Sequence, residues 1–373
     1  MTTQDLARIP AAKPEISEAD IEAAVRVLRS GMVVQGPEVK AFEEEFAPVT
    51  GAAHCVAVNS GTSALHLSLL ALGLGPGDEV IVPSFTFAAT ANAVRLVGAE
   101  PVFADIRRDS FNLDPAAVEA LVGPRTAAIM PVHLYGLPAD LVTLTAIADR
   151  HGLAIVEDAA QAHGAAIGDR PVGSWGKAGC FSFYPTKNMH SLEGGMVSTD
   201  DAELARQLRL LRNQGMEQRY ANEVVGTNTR LTDVAAAIGR SQLQRLHGWT
   251  EQRRANAAAL DAGLAEIDGV VVPLVGEGLR HVYHQYTIRV PHDRDAVSAK
   301  LTELGIGNAV YYPTPVHRLS PFLADGAPDP RWDLPETERA AAEALSLPVH
   351  PALGESDIDR IVGSVAAAVG SRA

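Results

Sequence analysis

The sequence predicts an α/β fold in which helices cover both faces of a sheet, followed by a smaller C-terminal α+β domain. Between about residues 50 and 200, short apolar segments of strand length alternate with segments of helical pattern. Apolar strands alternating with helices are typical of a sheet buried on both faces. The chain has 373 residues, of which 47% are hydrophobic, enough for roughly two domains of ~150 residues. We place the domain boundary between residues 245 and 246.

The elements of the larger domain follow from this alternation. Residues 54–58 read as a strand, and the helix after them is closed by Gly73, because glycine favours the end of a helix. The remaining strands are predicted at residues 78–83, 101–106, 126–132 and 153–159, with helices at residues 87–98 and 138–152 between them.

The C-terminal region has a different pattern. Residues 230–267 read as helical, with a break near the His-Gly-Trp at residues 247–249. Strands are predicted at residues 282–290 and 307–312, and helices at residues 293–305 and 356–370. The Pro- and Gly-rich stretch at residues 320–336 is the most loop-like part of the chain.

Charge and cysteine content narrow the class of protein. The net charge of -14 argues against a nucleic-acid partner, because phosphate backbones attract basic surfaces. The two cysteines, Cys55 and Cys180, lie in apolar segments, which predicts buried thiols and a reducing, cytoplasmic location. No secretory signal opens the sequence, and no apolar run approaches the ~18 residues that a membrane span needs.

A first functional motif is Asn-Ser-Gly-Thr-Ser at residues 59–63, where a strand ends and a helix begins. Free N–H groups and hydroxyls converge at such a helix N-terminus, which suits a phosphate. An ordinary helix cap formed by Ser60 or Thr62 is the alternative. The motif is neither a Walker loop nor a dinucleotide fingerprint.

A second motif ends another strand. Glu157 and Asp158 close the apolar segment "AIVED", at the end of a strand where α/β sheets bind ligands. Asp158 is a candidate partner for a cation, although it could also cap a helix or bind a metal. A metal is disfavoured because only His163 stands near it in the sequence, and that histidine is more typical of a polar core filler.

The third motif is Lys187, which lies between the apolar segments "CFSFYP" and "EGGMVST". A lysine removed from water loses proton affinity and becomes a nucleophile able to form a Schiff base with an aldehyde. A surface lysine in a turn is the alternative. A phosphate cradle, a carboxylate for a ring nitrogen and an amine for an aldehyde are together the contacts that pyridoxal phosphate requires.

The sequence also resembles the DegT/DnrJ/StrS-type sugar aminotransferases of the fold-type-I pyridoxal-phosphate enzymes, over residues 10–365. The resemblance is carried in order by "GPEVKAFE", "NSGTSAL", "GDEVIVPSFTFAATANAV", "VEDAAQAHGA", "FSFYPTKN", "GTNTRLTDVAAAIGRSQL" and "YYPTPVH". It implies a large domain with a mostly parallel seven-stranded sheet between helices, and a homodimer with shared active sites.

The resemblance also implies roles for individual residues. Lys187 forms the Schiff base, Asp158 pairs with the pyridine nitrogen, and Gln161 contacts the ring hydroxyl. Phe87 stacks on the ring, and the phosphate is bound by Gly61, Thr62 and Ser182, with Asn228 reaching it from the neighbouring subunit. Arg230 lies near that pocket, and His317 lies near the sugar site.

One stretch departs from the family pattern. Between Lys187 and "EGG" many relatives carry small residues, whereas this chain has His190-Ser191-Leu192. His190 therefore either contacts substrate or fills space. Gln214 stands where relatives often have histidine.

The resulting hypothesis is a pyridoxal-phosphate aminotransferase that moves an amino group, with L-glutamate as donor, to a nucleotide-linked 3- or 4-keto hexose. A keto-cyclitol acceptor and a non-catalytic cofactor-binding regulator remain alternatives. Dehydration at C3 of a keto-sugar is disfavoured, because that branch of the family replaces the lysine with histidine. From its residue pattern, the sequence predicts neither a bound metal nor a membrane partner.

Overall fold

The computed structural model describes residues 8–370, except residues 325 and 328. Its strands are β1 (His54–Val58), β2 (Glu79–Pro83), β3 (Glu100–Ala104), β4 (Thr126–Ile129), β5 (Ala154–Asp158), β6 (Ala166–Ile167), β7 (Arg170–Pro171), β8 (Ala178–Ser182), β9 (Gly195–Thr199), β10 (Leu279–Arg280), β11 (Tyr286–Arg289) and β12 (Ala344–Leu347). Its α-helices are α1 (Glu18–Ser30), α2 (Pro37–Thr50), α3 (Gly61–Ala71), α4 (Ala89–Leu96), α5 (Pro115–Leu121), α6 (Leu141–His151), α7 (Ala202–Arg212), α8 (Asp233–Leu264), α9 (Arg294–Glu303), α10 (Pro335–Glu343) and α11 (Glu355–Gly370).

Within the described chain, the main sheet has seven strands in the order β1-β9-β8-β5-β4-β2-β3. β9 runs antiparallel to both of its neighbours, and the other adjacent pairs are parallel. The prediction of a mostly parallel seven-stranded sheet is therefore confirmed.

Helices cover both faces of this sheet, as the apolar strands predicted. In β2, Val80 and Val82 pack into one core cluster with residues of α3, α4 and α7. Ile81 points to the other face and packs with α5 and α6. The alternation follows from the two-residue period of a strand, and it removes the strand from water on both sides.

A second core lies in the C-terminal region. β11 and β12 pair antiparallel, and Leu260 of α8, Tyr286 of β11, Leu301 of α9 and Ile361 of α11 share one buried cluster. Ile9 joins this cluster and forms a bridge with Ile306. The N-terminal segment is therefore attached to the C-terminal region.

Two expectations for this region are wrong. The break near the His-Gly-Trp does not occur: α8 continues for 32 residues through Gly248. Burial of Leu246 and Thr250 on either side outweighs the roughly 1 kcal/mol that glycine costs in a helix. The boundary between residues 245 and 246 falls inside this helix, so the division into domains stays a prediction.

The strand expected at residues 307–312 is also absent. Ala309 forms only an isolated bridge with Ser346. The sheet partner of β11 is instead β12, in a short segment that follows directly on α10. Of the helices described here, none combines the length and the hydropathy needed to cross a membrane.

Candidate active site

Three residues of the predicted site, Asp158, Ser182 and Gly61, lie where β5, β8 and α3 come together. β5 and β8 are parallel, with Asp158 opposite Cys180, so both strands end at the same edge of the sheet. α3 packs against β8, β9 and β5. Asp158 and Ser182, each the last residue of its strand, are therefore placed at the edge where α/β folds bind ligands.

Asp158 is buried, and its carboxylate is held from within the chain. Thr90 Oγ1 donates a hydrogen bond to Oδ2 at 2.8 Å, and the backbone N–H of Ala160 donates to Oδ1 at 3.2 Å. Burial raises the pKa of Asp158, while the bonds from Thr90 and Ala160 and the charge of Lys187 oppose that rise. The carboxylate is thus fixed in orientation for a cationic or N–H partner.

Lys187 lies in the turn between β8 and β9. Its backbone N–H bonds to Tyr184 O at 2.9 Å, and Ser191 N bonds to Phe183 O at 3.0 Å, which closes the turn. Burial lowers the pKa of the Lys187 amine to about 8, and the charge of Asp158 opposes that fall. The same amine in water has a pKa near 10.5, so the fold produces a nucleophile from it.

The N-terminus of α3 is pressed against the end of β8. The Ser60 side chain caps the helix by accepting from Ser63 N at 3.1 Å, so the cap named above as the alternative to a phosphate site is present. A Cβ at Gly61 would lie 2.7 Å from Ser182 Cβ, closer than real contacts allow. Glycine is required here for the Ser182 hydroxyl to lie beside the free N–H groups of the helix, a suitable place for an anion.

Gln161 and Phe87 both lie near Tyr312. Gln161 Oε1 accepts from Tyr135 N at 2.7 Å, and its Nε2 donates to Tyr312 Oη at 3.1 Å. The ring of Phe87 is 60% exposed and lies 6.1 Å from that of Tyr312. Phe87 is therefore open for a planar ring, and its stacking role stays a prediction.

Asn228 and Arg230 lie on the strand-like segment before α8. Thr229 O accepts from Asn59 N at 2.8 Å, so this segment runs beside the start of α3. Asn228 is exposed, as a residue reaching another subunit must be. Arg230 Nη1 donates to Asn213 Oδ1 at 3.0 Å. Their binding roles stay predictions.

The two histidines considered as substrate-binding residues, His317 and His190, both form hydrogen bonds within the chain. His317 is buried, with Nδ1 at 2.7 Å from Ser84 Oγ and Nε2 at 3.0 Å from Glu338 Oε1. These contacts favour a structural role over the expected substrate contact. His190 Nε2 lies 3.1 Å from Glu15 O, and its Nδ1 accepts from Leu192 N at 3.4 Å. It is thus a neutral ring that holds the N-terminal segment.

Neighbouring polar groups have structural roles. Glu157 accepts from the backbone N–H groups of Gly173, Trp175 and Gly176 and contacts His133, so it points away from Asp158. Burial among phenylalanine rings lowers the pKa of His163 to about 3, which agrees with a polar core filler. Among the described residues, no three potential metal ligands gather.

Sequence reasoning missed two residues of the site, Thr90 and Tyr312. Thr90 lies in α4 and bonds directly to Asp158, 68 positions away. Tyr312 bonds to Gln161 from a segment that was expected to be a strand. Nothing in the local sequence pattern indicates the contact of Thr90; for Tyr312, the aromatic residues of "YYPTPVH" were the available signal.

Comparison with known proteins decides the family. The sequence pattern described as the DegT/DnrJ/EryC1/StrS aminotransferase family matches residues 14–366. The chain belongs to this family. A relative named erythromycin biosynthesis sensory transduction protein EryC1, from Saccharopolyspora erythraea, is 48% identical over 94% of this chain and 95% of its own length.

Two further comparisons concern named transaminases and their structures. A dTDP-3-amino-3,4,6-trideoxy-alpha-D-glucose transaminase from Streptomyces venezuelae is 46% identical over 93% of this chain and 91% of its own. The crystal structure of DesV from S. venezuelae, in complex with a ketimine intermediate, superposes with a TM-score of 0.94. It is 43% identical and covers 98% of this chain and 99% of that one.

This DegT/DnrJ-type aminotransferase uses the cofactor of its family, pyridoxal phosphate, and the site fits that group. The Lys187 amine with its lowered pKa suits an aldehyde. The buried, oriented Asp158 suits a protonated ring nitrogen. The cradle that a Cβ at Gly61 would fill suits a phosphate.

Proposed function

We propose that this DegT/DnrJ-type enzyme transfers an amino group from L-glutamate to a nucleotide-linked 3- or 4-keto hexose. The observation that carries the proposal is the buried carboxylate of Asp158, oriented by Thr90 at the ligand-binding edge of the sheet, whose charge acts on the amine of Lys187. The acceptor class is supported by the similar transaminase from S. venezuelae, whose name specifies a dTDP-linked amino sugar.

Each residue of the site has its own role in the proposed reaction. Bound pyridoxal phosphate supplies an electron sink for the donor's α-carbon. Lys187 would hold the cofactor through its aldehyde, and its amine would serve as the general base and acid that moves a proton between the donor's α-carbon and the cofactor. Asp158 keeps the ring nitrogen protonated, and Thr90 holds Asp158 in orientation. Gly61, Thr62 and Ser182 bind the phosphate, and Gln161 contacts the ring hydroxyl.

We propose in addition that the working unit is a homodimer in which Asn228 completes the phosphate site of the partner. Support comes from the exposure of Asn228 and of the Phe87 ring beside the site. We also propose a cytoplasmic location, because both cysteines are buried free thiols, which suits a reducing compartment.

The alternatives differ in what the site must do. A keto-cyclitol acceptor would use the same residues, so the acceptor has to be tested directly. The name of the relative from S. erythraea mentions sensory transduction. The alternative of a non-catalytic, cofactor-binding regulator therefore has to be tested as well. A relative named as a transaminase is similar over nearly the same span, at 46% identity, and we therefore favour the enzyme.

An absorption titration tests the proposal. We expect the purified enzyme with pyridoxal phosphate to show the visible band of lysine-bound cofactor and to lose it on addition of L-glutamate, as the amine form accumulates. Nucleotide-linked keto-hexoses should then restore the band, whereas keto-cyclitols should not. Lys187→Ala should show neither change, while Lys177→Ala, at an exposed lysine, should behave as wild type. A band that persists in glutamate would contradict the donor, and normal turnover by Lys187→Ala would contradict the mechanism.

A further inference from the structure

Two buried threonine hydroxyls form a chain that ends on the carboxylate of Asp158. Thr86 Oγ1 lies 3.0 Å from Thr90 Oγ1, and Thr90 Oγ1 lies 2.8 Å from Asp158 Oδ2. All three residues are buried, with at most 5% of each exposed. Among the described residues, the hydrogen-bond partner of the Thr86 hydroxyl is Thr90, so an effect of Thr86 on Asp158 passes through Thr90.

The direction of the two bonds follows from the number of protons. An ionised carboxylate only accepts hydrogen bonds, so the single O–H of Thr90 donates to Asp158. The oxygen of Thr90 is then the acceptor for the O–H of Thr86. Both hydroxyl protons of the chain are therefore paired when Asp158 is ionised.

A proton on Oδ2 of Asp158 would reverse this order. The new O–H would donate to Thr90, and the O–H of Thr90 would turn to Thr86. Within the described part of the chain, the O–H of Thr86 would then be left without an acceptor. A buried donor that loses its partner costs free energy, so the two threonines together favour the ionised carboxylate.

This support matters because burial acts in the opposite direction. Burial raises the pKa of Asp158, and the bond from Thr90 is the largest contribution against that rise. The backbone N–H of Ala160 and electrostatic interactions with Lys187 and His133 act in the same direction as Thr90. Hydrogen bonds in a chain polarise one another, so the bond from Thr86 strengthens the donor that Thr90 presents to Asp158.

The backbone that carries Thr86 is held on both sides. On one side, Ser84 Oγ accepts from His317 N at 3.0 Å and lies 2.7 Å from His317 Nδ1. On the other side, the first turn of α4 follows directly, with Thr90 N donating to Phe87 O at 3.2 Å. These contacts keep the Thr86 hydroxyl within reach of Thr90.

We propose that Thr86 is a positioning residue, which acts through Thr90 to hold Asp158 as an ionised and oriented acceptor for the ring nitrogen of pyridoxal phosphate. The proposal rests on the proposed role of Asp158 at that nitrogen. If Thr86 only maintained the shape of the site, its loss would weaken the binding of every similar ring. If Thr86 acts through Asp158, its loss should weaken only a ring that carries the nitrogen.

The test compares pyridoxal phosphate with its 1-deaza analogue, in which a carbon replaces the ring nitrogen. Absorption titration of the cofactor-free enzyme gives a dissociation constant for each compound. In Thr86→Val the constant for pyridoxal phosphate should rise roughly 3- to 10-fold, whereas the constant for the analogue should not rise. Thr86→Ser keeps the hydroxyl and should bind pyridoxal phosphate as the wild type does.

The reaction with L-glutamate gives a second measurement. In Thr86→Val the rate constant for loss of the visible band at saturating glutamate should fall roughly 3- to 10-fold. Half-saturation by glutamate should stay at the wild-type concentration, because Asp158 acts on the cofactor ring and not on the donor. A wild type that does not respond to glutamate refutes the proposed donor, and the binding comparison then decides the role of Thr86.

Thr287→Val is the matched control, because Thr287 is also buried and its Oγ1 lies 2.8 Å from another hydroxyl, Ser346 Oγ. It should bind both compounds as the wild type does. Thr86→Ala, which also removes the hydroxyl, decides if the valine variant does not fold. Wild-type affinity for pyridoxal phosphate in the folded variant, or an equal loss for both compounds, overturns the role of Thr86. A wild type that binds both compounds equally well refutes the role of Asp158 instead.

Discussion

Asp158→Asn should change the reactivity of Lys187 and the rate of transamination in opposite directions. The charge of Asp158 raises the pKa of Lys187, against the larger lowering by burial. Its removal should therefore bring that pKa below about 8. At the same time the ring nitrogen of the cofactor would lose the carboxylate that keeps it protonated, so that turnover falls.

The size of the first effect follows from the pKa. With a pKa of about 8, roughly one Lys187 amine in ten is neutral at pH 7. For an ordinary lysine near 10.5 the fraction is roughly one in 3,000, so Lys187 should react roughly 300-fold faster than an exposed lysine of equal nucleophilicity. The neutral fraction cannot exceed one, so Asp158→Asn can add at most a further factor of about ten. Loss of turnover should be about 100-fold or more, as for other electrostatic groups at reacting centres.

Trace acetylation of the cofactor-free protein between pH 6 and pH 10 measures this directly. The peptide that carries Lys187 is quantified by mass spectrometry against the peptide of exposed Lys177 in the same sample. We expect a labelling midpoint near pH 8 for Lys187, and a lower midpoint in Asp158→Asn. A wild-type midpoint that coincides with that of Lys177, or an upward shift in the variant, would refute the reasoning.

Three further predictions concern the support of the site. Gly61→Ala would place a Cβ 2.7 Å from Ser182 Cβ, so pyridoxal phosphate should dissociate roughly tenfold faster or more in a dilution assay. Thr90→Val removes a bond that lowers the pKa of Asp158; that pKa should rise, and the acid limb of the activity profile should move to higher pH. Glu157→Gln leaves buried N–H groups poorly paired, so urea denaturation should show a loss of about 3 kcal/mol in unfolding free energy.

Each of these has a control of the same chemical type. A Cβ at Gly75 meets only a carbonyl oxygen at 3.7 Å, so Gly75→Ala should retain the cofactor. Thr143 bonds to a carboxylate on the surface, and Thr143→Val should leave the pH profile in place. Glu119 is 40% exposed in its ion pair, so Glu119→Gln should cost little. Equal effects in a variant and its control would contradict the corresponding prediction.

The strands of the main sheet could be predicted from the sequence because the pattern that marks a buried strand lies within a few consecutive residues. The runs that became β1 to β5 are apolar over a strand length, and each is bounded by polar or turn residues. The small strand β12 was not found, because its four residues follow a helix directly and carry no turn signal. The break expected in α8 is absent, because burial of residues on both sides of Gly248 outweighs the low helix propensity of glycine.

By itself, the sequence determined the family and the chemical groups of the site: an amine between two buried strands, a carboxylate at the end of a third, and a glycine at the start of a helix. These are properties of single segments, visible in residue order. Only the tertiary structure decided what those groups experience. Thr90 reaches Asp158 across 68 positions, and Tyr312 reaches Gln161 across 151 positions. Burial, and with it the pKa of each group, is a property of all the segments that surround it, so it appears only when the chain is folded.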